Sequence, residues 1–201
     1  MTLDMEDIER LLASGAARQV EIGDEPGPVE DSRRPIEAMP FTHLDHALQT
    51  AAVLQSQAPH DPELAVAGLV HDIGHLLPSV GDAEHAEAGA AAVRAVLGAR
   101  VAELVGLHVE AKRYLVARQD AYGGSLAADS VASLLLQGGP MLADEQAAFE
   151  QQPHFQDALL LRRADESGKV DGLEVPGLAE WMPIIRELAA RRGHHRLSDV
   201  T

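Results

Sequence analysis

The segment Leu69-Val70-His71-Asp72-Ile73-Gly74-His75 concentrates side chains that could do chemistry. An imidazole and a carboxylate are adjacent, and a second imidazole follows four residues after the first. The segment continues an apolar run from residue 64 to 77, which predicts a helix. Residues four apart share one helix face and the next residue lies about 100° away, so His71, Asp72 and His75 are expected to point toward one pocket. Imidazole and carboxylate groups in this arrangement indicate a metal site.

The ten histidines of the chain divide into two groups. Five border polar turns or lie near the C-terminus, where a solvated or structural role is the usual one: His43, His60, His154, His194 and His195. The other five, together with two carboxylates, occur in order along the predicted helices: His46, His71, Asp72, His75, His85, His108 and Asp165. Iron, manganese and cobalt accept such sets of nitrogen and oxygen ligands. A buried hydrogen-bonded network is the alternative interpretation.

The elements that would position these side chains are expected to be helices. Hydrophobic residues make up 46% of the 201 residues but aromatic residues only 3%, which favours an all-α fold over a β-sandwich. Thr42 is a capping residue for a helix over 43–57, Asp61-Pro62 opens the helix that carries the first motif, and Asp82 is a candidate cap for 83–97. Periodicity predicts about seven or eight helices in total, forming a helical bundle.

The chain is predicted to be a single domain over 1–201. Its metal-binding core covers about 42–170, with an N-terminal helix and loop over 1–41 and a C-terminal helix and tail over 171–201. Residues 20–40 lack periodicity and are rich in glycine and proline, which indicates either a loop that covers the site or a flexible linker. The N-terminus resembles no signal peptide and there is no run of 18 apolar residues, so a cytoplasmic location is expected.

The charge balance limits the partners. Sixteen basic against 32 acidic residues give a net charge of -16, which repels nucleic acid and anionic membranes. The absence of cysteine excludes disulfides, thiolate metal ligands and a cysteine nucleophile. A small anionic substrate remains compatible, because a local cluster of cations dominates within about 8–10 Å. The oligomeric state is left open by the sequence.

Two basic residues lie near the candidate ligands. Lys112 follows His108 by four residues and Arg162 precedes Asp165 by three, so each pair shares a helix face. Cations next to metal ions are costly unless an anion lies between them, which suggests a phosphonate, phosphate or carboxylate ligand. The alternative is a salt bridge between the basic residue and a ligating carboxylate.

Several phrases of the sequence resemble one known family. The ordered histidines and aspartates are similar to those of the HD-domain superfamily, all-α metalloproteins first known as phosphohydrolases. A narrower branch is indicated by four phrases: His46-Ala47-Leu48-Gln49-Thr50-Ala51, residues 69–75, residues 108–115 and Gln137-Gly138-Gly139-Pro140-Met141. That branch comprises mixed-valent di-iron oxygenases, relatives of myo-inositol oxygenase, which cleave the carbon–phosphorus bond of 1-hydroxyphosphonates. The resemblance covers about 42–169.

The resemblance implies a di-iron centre that uses O₂. One iron would be held by His46, His71, Asp72 and Asp165, and Asp72 would bridge to a second iron held by His85 and His108. The pair would be Fe(II)/Fe(III), and a small anionic 1-hydroxy-organophosphonate would be cleaved to phosphate and a carboxylate. The same ligands with two divalent ions could instead hydrolyse a small phosphate ester or nucleotide, which is the alternative function. A degenerate module for ligand sensing is a third interpretation.

The resemblance also implies substrate contacts. His75, Lys112 and Arg162 match positions that engage the phosphonate and serve catalysis. A serine ahead of the Gln-Gly-Gly-Pro turn contributes as well, and Ser130 and Ser133 are both candidates.

One family feature is missing from its expected place. Some members carry a Tyr-x-x-Glu gate before the first ligand helix, which recognises a substrate ammonium. This chain has Ile36 and Met39 at those positions, with Glu37 out of register. The gate is either absent or formed differently by residues 20–40, and the substituent on C1 of the substrate is left open.

Overall fold

The computed structural model describes residues 3–19, 41–124 and 126–198, the side chains of residues 128–129 and 192–198 excepted. These residues form ten α-helices and two short 3₁₀ turns. The α-helices are α1 Met5–Ser14, α2 His43–Gln57, α3 Pro62–Val70, α4 His85–Leu97, α5 Ala99–Arg118, α6 Asp120–Gly123, α7 Ala128–Leu136, α8 Ala143–Phe149, α9 Phe155–Ser167 and α10 Leu178–Ser198. The predicted all-α fold is confirmed. The count exceeds the predicted seven or eight, and one of the additional helices, four-residue α6, is too short to show a period.

Helices α3 and α9 pack against each other and against both α2 and α5, around a shared apolar core. Each contributes a leucine that is almost fully buried, namely Leu54, Leu69, Leu104 and Leu161. Helix α4 packs along α5, and α10 closes part of the core with Trp181. Burying each large side chain contributes about 1.5–3 kcal/mol, so this bundle is a rigid frame for polar residues at its inner ends.

Capping residues determine where the two helices before the first motif begin. In α2, the Thr42 hydroxyl accepts from the Asp45 N–H at 3.2 Å, and the Asp45 carboxylate accepts from the Thr42 N–H at 2.9 Å. In α3, the Asp61 carboxylate accepts from the Leu64 N–H at 3.1 Å, and Pro62 occupies the first helical position. Both predicted helix starts are confirmed, since capping depends on neighbouring residues only.

The predicted continuous helix over the first motif is wrong. Helix α3 ends at Val70, and a 3₁₀ turn follows over Ile73–Leu76. In this turn, Gly74 lies directly against the start of α4, where an added Cβ would stand 1.9 Å from the carbonyl oxygen of His85. His71 and Asp72 therefore do not share a helix face with His75, and a turn presents all three.

Two other predicted boundaries differ from the structure. Helix α4 begins at His85, and its start has no side-chain cap, so the cap predicted at Asp82 is wrong. The backbone carbonyl of Asp82 instead accepts a hydrogen bond from His85 Nδ1 at 2.6 Å. The sequence pattern predicts a helix over 157–169, but α9 ends at Ser167, which puts Lys169 beyond the helix. The 20–40 loop and the gate positions 36 and 39 lie outside the described residues.

No helix in the described part of the chain is both long enough and apolar enough to cross a membrane.

Candidate metal centre

Five structural elements bring the six predicted metal ligands together in two groups of three. The first group is His46 from α2, His71 at the end of α3 and Asp165 from α9. The second is Asp72, His85 from the start of α4 and His108 from α5. Within each group, one ligand atom per residue lies within 4.8 Å of the others. Each group therefore has the dimensions of a three-ligand metal site.

Asp72 belongs to the second group and also reaches the first, so that it directs one oxygen to each. Its Oδ2 is 3.7 Å from His46 Nε2 and 3.5 Å from His71 Nε2. Its Oδ1 is 3.5 Å from His85 Nε2 and 3.6 Å from His108 Nε2. A carboxylate in this position can bind one cation with each oxygen and so link two metal ions.

Backbone carbonyls orient all four imidazoles of these groups. The Nδ1 of His46 lies 2.8 Å from Gly168 O, and that of His71 2.7 Å from Gly68 O. The Nδ1 of His85 lies 2.6 Å from Asp82 O, and that of His108 lies 2.6 Å from Val105 O. A carbonyl only accepts, so Nδ1 carries the proton in each ring. The lone pair on Nε2 is then available to a metal, as in other protein metal sites.

Burying the four Nε2 atoms without a cation beside them would cost free energy. Those of His46 and His71 are buried and have no hydrogen-bond partner among the described residues. Those of His85 and His108 lie 3.0 Å apart, which brings two lone pairs together. A buried polar atom without a partner costs about 1–3 kcal/mol. The donors are nitrogen and oxygen only, so this site fits two cations of the iron, manganese or cobalt kind.

The protonation states of the carboxyls suit metal binding. Burial alone would raise the pKa of Asp72, but the surrounding imidazoles hold the pKa of that carboxyl well below its usual range. Burial likewise opposes ionisation of Asp165, yet Arg162 and the nearby histidines keep its pKa well below the usual range. Both groups are therefore carboxylates, the form that binds a metal.

The imidazoles respond to burial in two ways. Burial, together with His85 and His71, lowers the pKa of His108 well below its usual value, which keeps that ring neutral. Burial also opposes charge on His46, but the Asp165 carboxylate, 3.2 Å from its Nε2, outweighs burial and raises the pKa. The space between His46 and Asp165 thus attracts a cation, either a proton or a metal ion.

A cavity of about 390 Å³ opens beside the two groups. One wall carries cations and hydroxyls, with Lys112 Nζ donating to Ser133 Oγ at 2.7 Å and Lys169 Nζ donating to Ser130 Oγ at 3.0 Å. Burial, with Arg162 next in importance, lowers the pKa of Lys112 to about 8. This wall has the charge and donors that an anionic ligand needs. Both candidate serines lie here, so neither is a hydroxyl on the outer surface of α7.

Arg162 lies at the cavity, but its guanidinium is held by protein groups. Nε donates to the Tyr122 hydroxyl at 2.7 Å, and Nη1 forms a close ion pair with Asp165. Nη2 pairs closely with Glu166 and also contacts Ser130 Oγ at 3.2 Å. The salt bridge to a ligating carboxylate, the alternative left open by the sequence, is therefore present. Arg162 in this arrangement fixes the orientation of Asp165.

His75 belongs to neither group of three. Its Nε2 is 3.9 Å from Asp72 Oδ1, and its Nδ1 is 3.6 Å from Asp82 Oδ1. Its ring stacks on that of His85 with centroids 3.9 Å apart and an interplanar angle of 17°. The side chain thus faces the cavity from next to the metal ligands, where it can contact a substrate.

Sequence reasoning missed several residues of this site. Glu166 and Tyr122 hold Arg162, and five side chains that were given no functional role line the cavity: Gln19, His43, Asp82, Gln137 and Lys169. The spacing of His43, three residues before His46 on α2, was the available signal. Gln19 and Tyr122 had no sequence signal, because they reach the site through packing.

The HD domain family matches residues 43–165, a range that contains every residue of the two ligand groups. This chain belongs to the HD-domain family. The HD-domain chain is 35% identical over 157 residues to [1-hydroxy-2-(trimethylamino)ethyl]phosphonate dioxygenase (glycine-betaine-forming) of Leisingera caerulea, covering 74% of this chain and 80% of that protein. It is 42% identical over 149 residues to hydroxymethylphosphonate dioxygenase of Gimesia maris, covering 70% of this chain and 74% of that protein. Uncharacterized protein L432 of Acanthamoeba polyphaga mimivirus is 32% identical over 139 residues, covering 64% of this chain and 63% of that protein.

These relatives confirm the resemblance seen in the sequence. The HD-domain protein is an enzyme of the oxygenase branch. The two ligand groups, together with the dioxygenase names of two relatives, indicate the use of metal and O₂.

Proposed function

We propose that this HD-domain protein is a di-iron oxygenase that cleaves the carbon–phosphorus bond of a small 1-hydroxy-organophosphonate. The observation that carries the proposal is the position of Asp72, with one carboxylate oxygen toward each ligand group, beside a cavity wall of cations and hydroxyls. The names of two relatives, both phosphonate dioxygenases, support the substrate class.

Two iron ions would be held by His46, His71 and Asp165 on one side and by His85 and His108 on the other, with Asp72 shared. When bound, iron in the Fe(II)/Fe(III) state would supply redox chemistry with O₂ and a Lewis acid for the substrate oxygens. The protein contributes the orientation of each imidazole through its backbone carbonyl, which keeps the ligand atoms in place without a change in structure.

The phosphonate would lie against the cationic wall. Lys112, Ser130 and Ser133 offer donors to its oxygens, and His75 lines the same cavity next to Asp72. Lys169 adds a second ammonium group. Arg162 would act through Asp165, whose carboxylate it orients, and contact the substrate only from the edge of the guanidinium. With these contacts, C1 and its hydroxyl would lie next to the two ligand groups.

The overall reaction balances with O₂ as the only oxidant. R–CH(OH)–PO₃H₂ and O₂ give R–COOH and H₃PO₄. The C1–H and C1–P bonds break, carbon is oxidised, and the four electrons reduce both atoms of O₂. No external reductant is needed, which agrees with the term dioxygenase in the names of two relatives.

The test is phosphate release from hydroxymethylphosphonate by protein reconstituted with Fe(II), measured together with O₂ consumption. We expect one phosphate for each O₂ consumed, and a coupled Fe(II)/Fe(III) signal in electron paramagnetic resonance that changes when the compound is added. Without O₂ no phosphate should form. Phosphate release from phosphate esters that is independent of O₂ would identify a hydrolase instead.

A further inference from the structure

The segment that follows α9, residues 168–170, contacts both the first ligand group and the cavity wall. The carbonyl oxygen of Gly168 lies 2.8 Å from His46 Nδ1. The next residue, Lys169, donates from Nζ to Ser130 Oγ at 3.0 Å, at the cavity. The 168–170 segment is neither helix nor strand, so a continuing helix does not determine where Lys169 lies.

The buried side chain of Gln49 holds this segment through the backbone of Val170. Its Nε2 donates to Val170 O at 2.7 Å, and the Val170 N–H donates to its Oε1 at 3.0 Å. One primary amide thus pairs with both peptide groups of one residue. Gln49 is 2% exposed, whereas Val170 is 48% exposed. Val170 is therefore anchored by its backbone, because its side chain buries little apolar surface.

Gly168 lies directly against α2. An added Cβ would stand 2.7 Å from Thr50 Oγ1 and 2.9 Å from Thr50 N. The 168–170 segment therefore meets α2 at two successive residues, 49 and 50. Gln49 follows His46 by three residues, on the same side of α2. One helix thus carries a proposed metal ligand together with the side chain that holds the segment to which this ligand bonds.

We infer that Gln49 is a positioning residue, which holds the 168–170 segment so that Gly168 O orients His46 and Lys169 reaches the cavity wall. This inference rests on the proposed function, since His46 would bind iron and Lys169 would contact the phosphonate. Loss of a group that orients a metal ligand costs about 10- to 100-fold in metal affinity in other proteins. A glutamine that only filled the core would affect stability and leave metal and substrate binding unchanged.

Calorimetric titration of the metal-free protein with Co(II), without substrate, tests the effect on His46. We expect the wild type to bind two ions. Gln49→Met, which has a similar unbranched side chain without the amide, should bind one of them about 10-fold more weakly. The affinity for the other ion should stay within about threefold, because His85 and His108 are oriented by other carbonyls. Equal affinities for both ions in the wild type and the variant would overturn the inference.

Leu48→Ala is the matched control for stability. Leu48 precedes Gln49 on α2 and belongs to the hydrophobic core, so its truncation lowers the melting temperature through a cavity. Both Co(II) affinities of Leu48→Ala should stay within about threefold of those of the wild type. A loss of affinity as large as that in Gln49→Met would assign the effect to stability and overturn the inference.

Gly168→Ala displaces the same segment by a different route. The added Cβ would meet a backbone atom of Thr50, so this variant should also bind one Co(II) ion about 10-fold more weakly. The double variant with Gln49→Met should bind that ion about as weakly as the weaker single variant, because both changes act on one segment. Fully additive losses would show two independent effects and contradict the role of the segment.

The kinetics of hydroxymethylphosphonate cleavage test the effect on Lys169. In iron-saturated Gln49→Met, KM should rise by at least about threefold, since the ammonium is no longer held at the cavity wall. In a Lys169→Met background the same substitution should leave KM unchanged, and an equal rise there would overturn the link to Lys169. A wild type that bound two Co(II) ions but released no phosphate with iron would refute the proposed function, while the Co(II) comparison would still decide the role of Gln49.

Discussion

At the scale of single residues, Asp72 is the side chain that contacts imidazoles of both ligand groups. Its two oxygens lie 3.5–3.7 Å from four different imidazole nitrogens. We expect Asp72→Ala to lose both metal ions, because neither group keeps its shared carboxylate. Metal analysis after gel filtration measures the loss, with Asp82→Ala as control, since Asp82 supports His85 through a backbone carbonyl that the substitution leaves in place. Two retained iron ions in Asp72→Ala would contradict the bridging position.

Lys112 predicts a pH dependence of substrate binding. Its pKa is lowered to about 8, so the ammonium that would pair with the phosphonate loses its proton as pH rises through about 8. We expect KM to increase above that pH. Lys112→Met should raise KM at pH 7 by about 10- to 100-fold, the loss of one charged hydrogen bond, and abolish the alkaline rise.

The control for Lys112→Met is its metal content, which should equal that of the wild type because Lys112 belongs to neither ligand group. The same pKa bears on stability. Between about 8 and the usual 10.5 the unfolded chain binds more protons at this residue, so its contribution to the free energy of unfolding rises with pH. If KM rose with pH in Lys112→Met as it does in the wild type, the alkaline rise in KM could not be assigned to Lys112.

At the scale of elements, the turn after α3 depends on Gly74. Since a Cβ there would stand 1.9 Å from the carbonyl oxygen of His85, Gly74→Ala must displace the start of α4 and with it a metal ligand. We expect a loss of more than about 3 kcal/mol in the free energy of unfolding, together with weaker metal binding. Denaturant unfolding and metal analysis measure the two effects.

Gly106→Ala is the matched control within the same bundle. Gly106 lies inside α5, and the atom nearest to an added Cβ is 3.6 Å away. The substitution should therefore stabilise the protein by about 0.5–1 kcal/mol, because alanine favours helix. Equal effects of the two substitutions would show that Gly74 has no special contact with α4.

The carboxylate of Glu166, on α9, makes two of the contacts that attach α7 to α9. The Ala127 N–H donates to Glu166 Oε1 at 2.8 Å, and Glu166 Oε2 pairs with Arg162 and contacts Ser130 Oγ at 3.3 Å. Glu166→Ala should cost about 1–3 kcal/mol and accelerate hydrogen exchange in α7, which carries Ser130 and Ser133. Glu166→Gln keeps an acceptor for Ala127 and should change exchange less. Unaltered exchange in the alanine variant would mean that α7 is held by other contacts.

At the scale of the whole molecule, metal binding and folding are coupled. The ligand atoms come from α2, the end of α3, α4, α5 and α9, so cations would join five elements of one bundle. Removal of metal by chelation should lower the melting temperature, since binding to the folded state alone stabilises it. Differential scanning calorimetry before chelation, after it and after addition of Fe(II) measures the effect. An unchanged melting temperature at all three stages would contradict the coupling.

The acidic whole-molecule charge of -16 is locally overridden at the site. Lys112, Arg162 and Lys169 meet at the cavity, although Lys112 is far from the other two in the sequence. The sequence located Lys112 and Arg162 correctly near the ligands, because the spacing to His108 and Asp165 is a local property of a helix. It put Lys169 on the helix face of Arg162 and Asp165 and assigned it no role, whereas α9 ends at Ser167 and Lys169 reaches Ser130 from beyond the helix.

The sequence by itself determined the helical class, the starts of α2 and α3, and the kinds of ligand available. These follow from local interactions, namely capping, periodicity and the chemistry of side chains. The tertiary structure alone decided that α3 stops at Val70, that six ligands divide into two groups with Asp72 between them, and that Arg162 pairs with Asp165. Distances between residues far apart in the chain depend on how helices pack, and no local pattern encodes them.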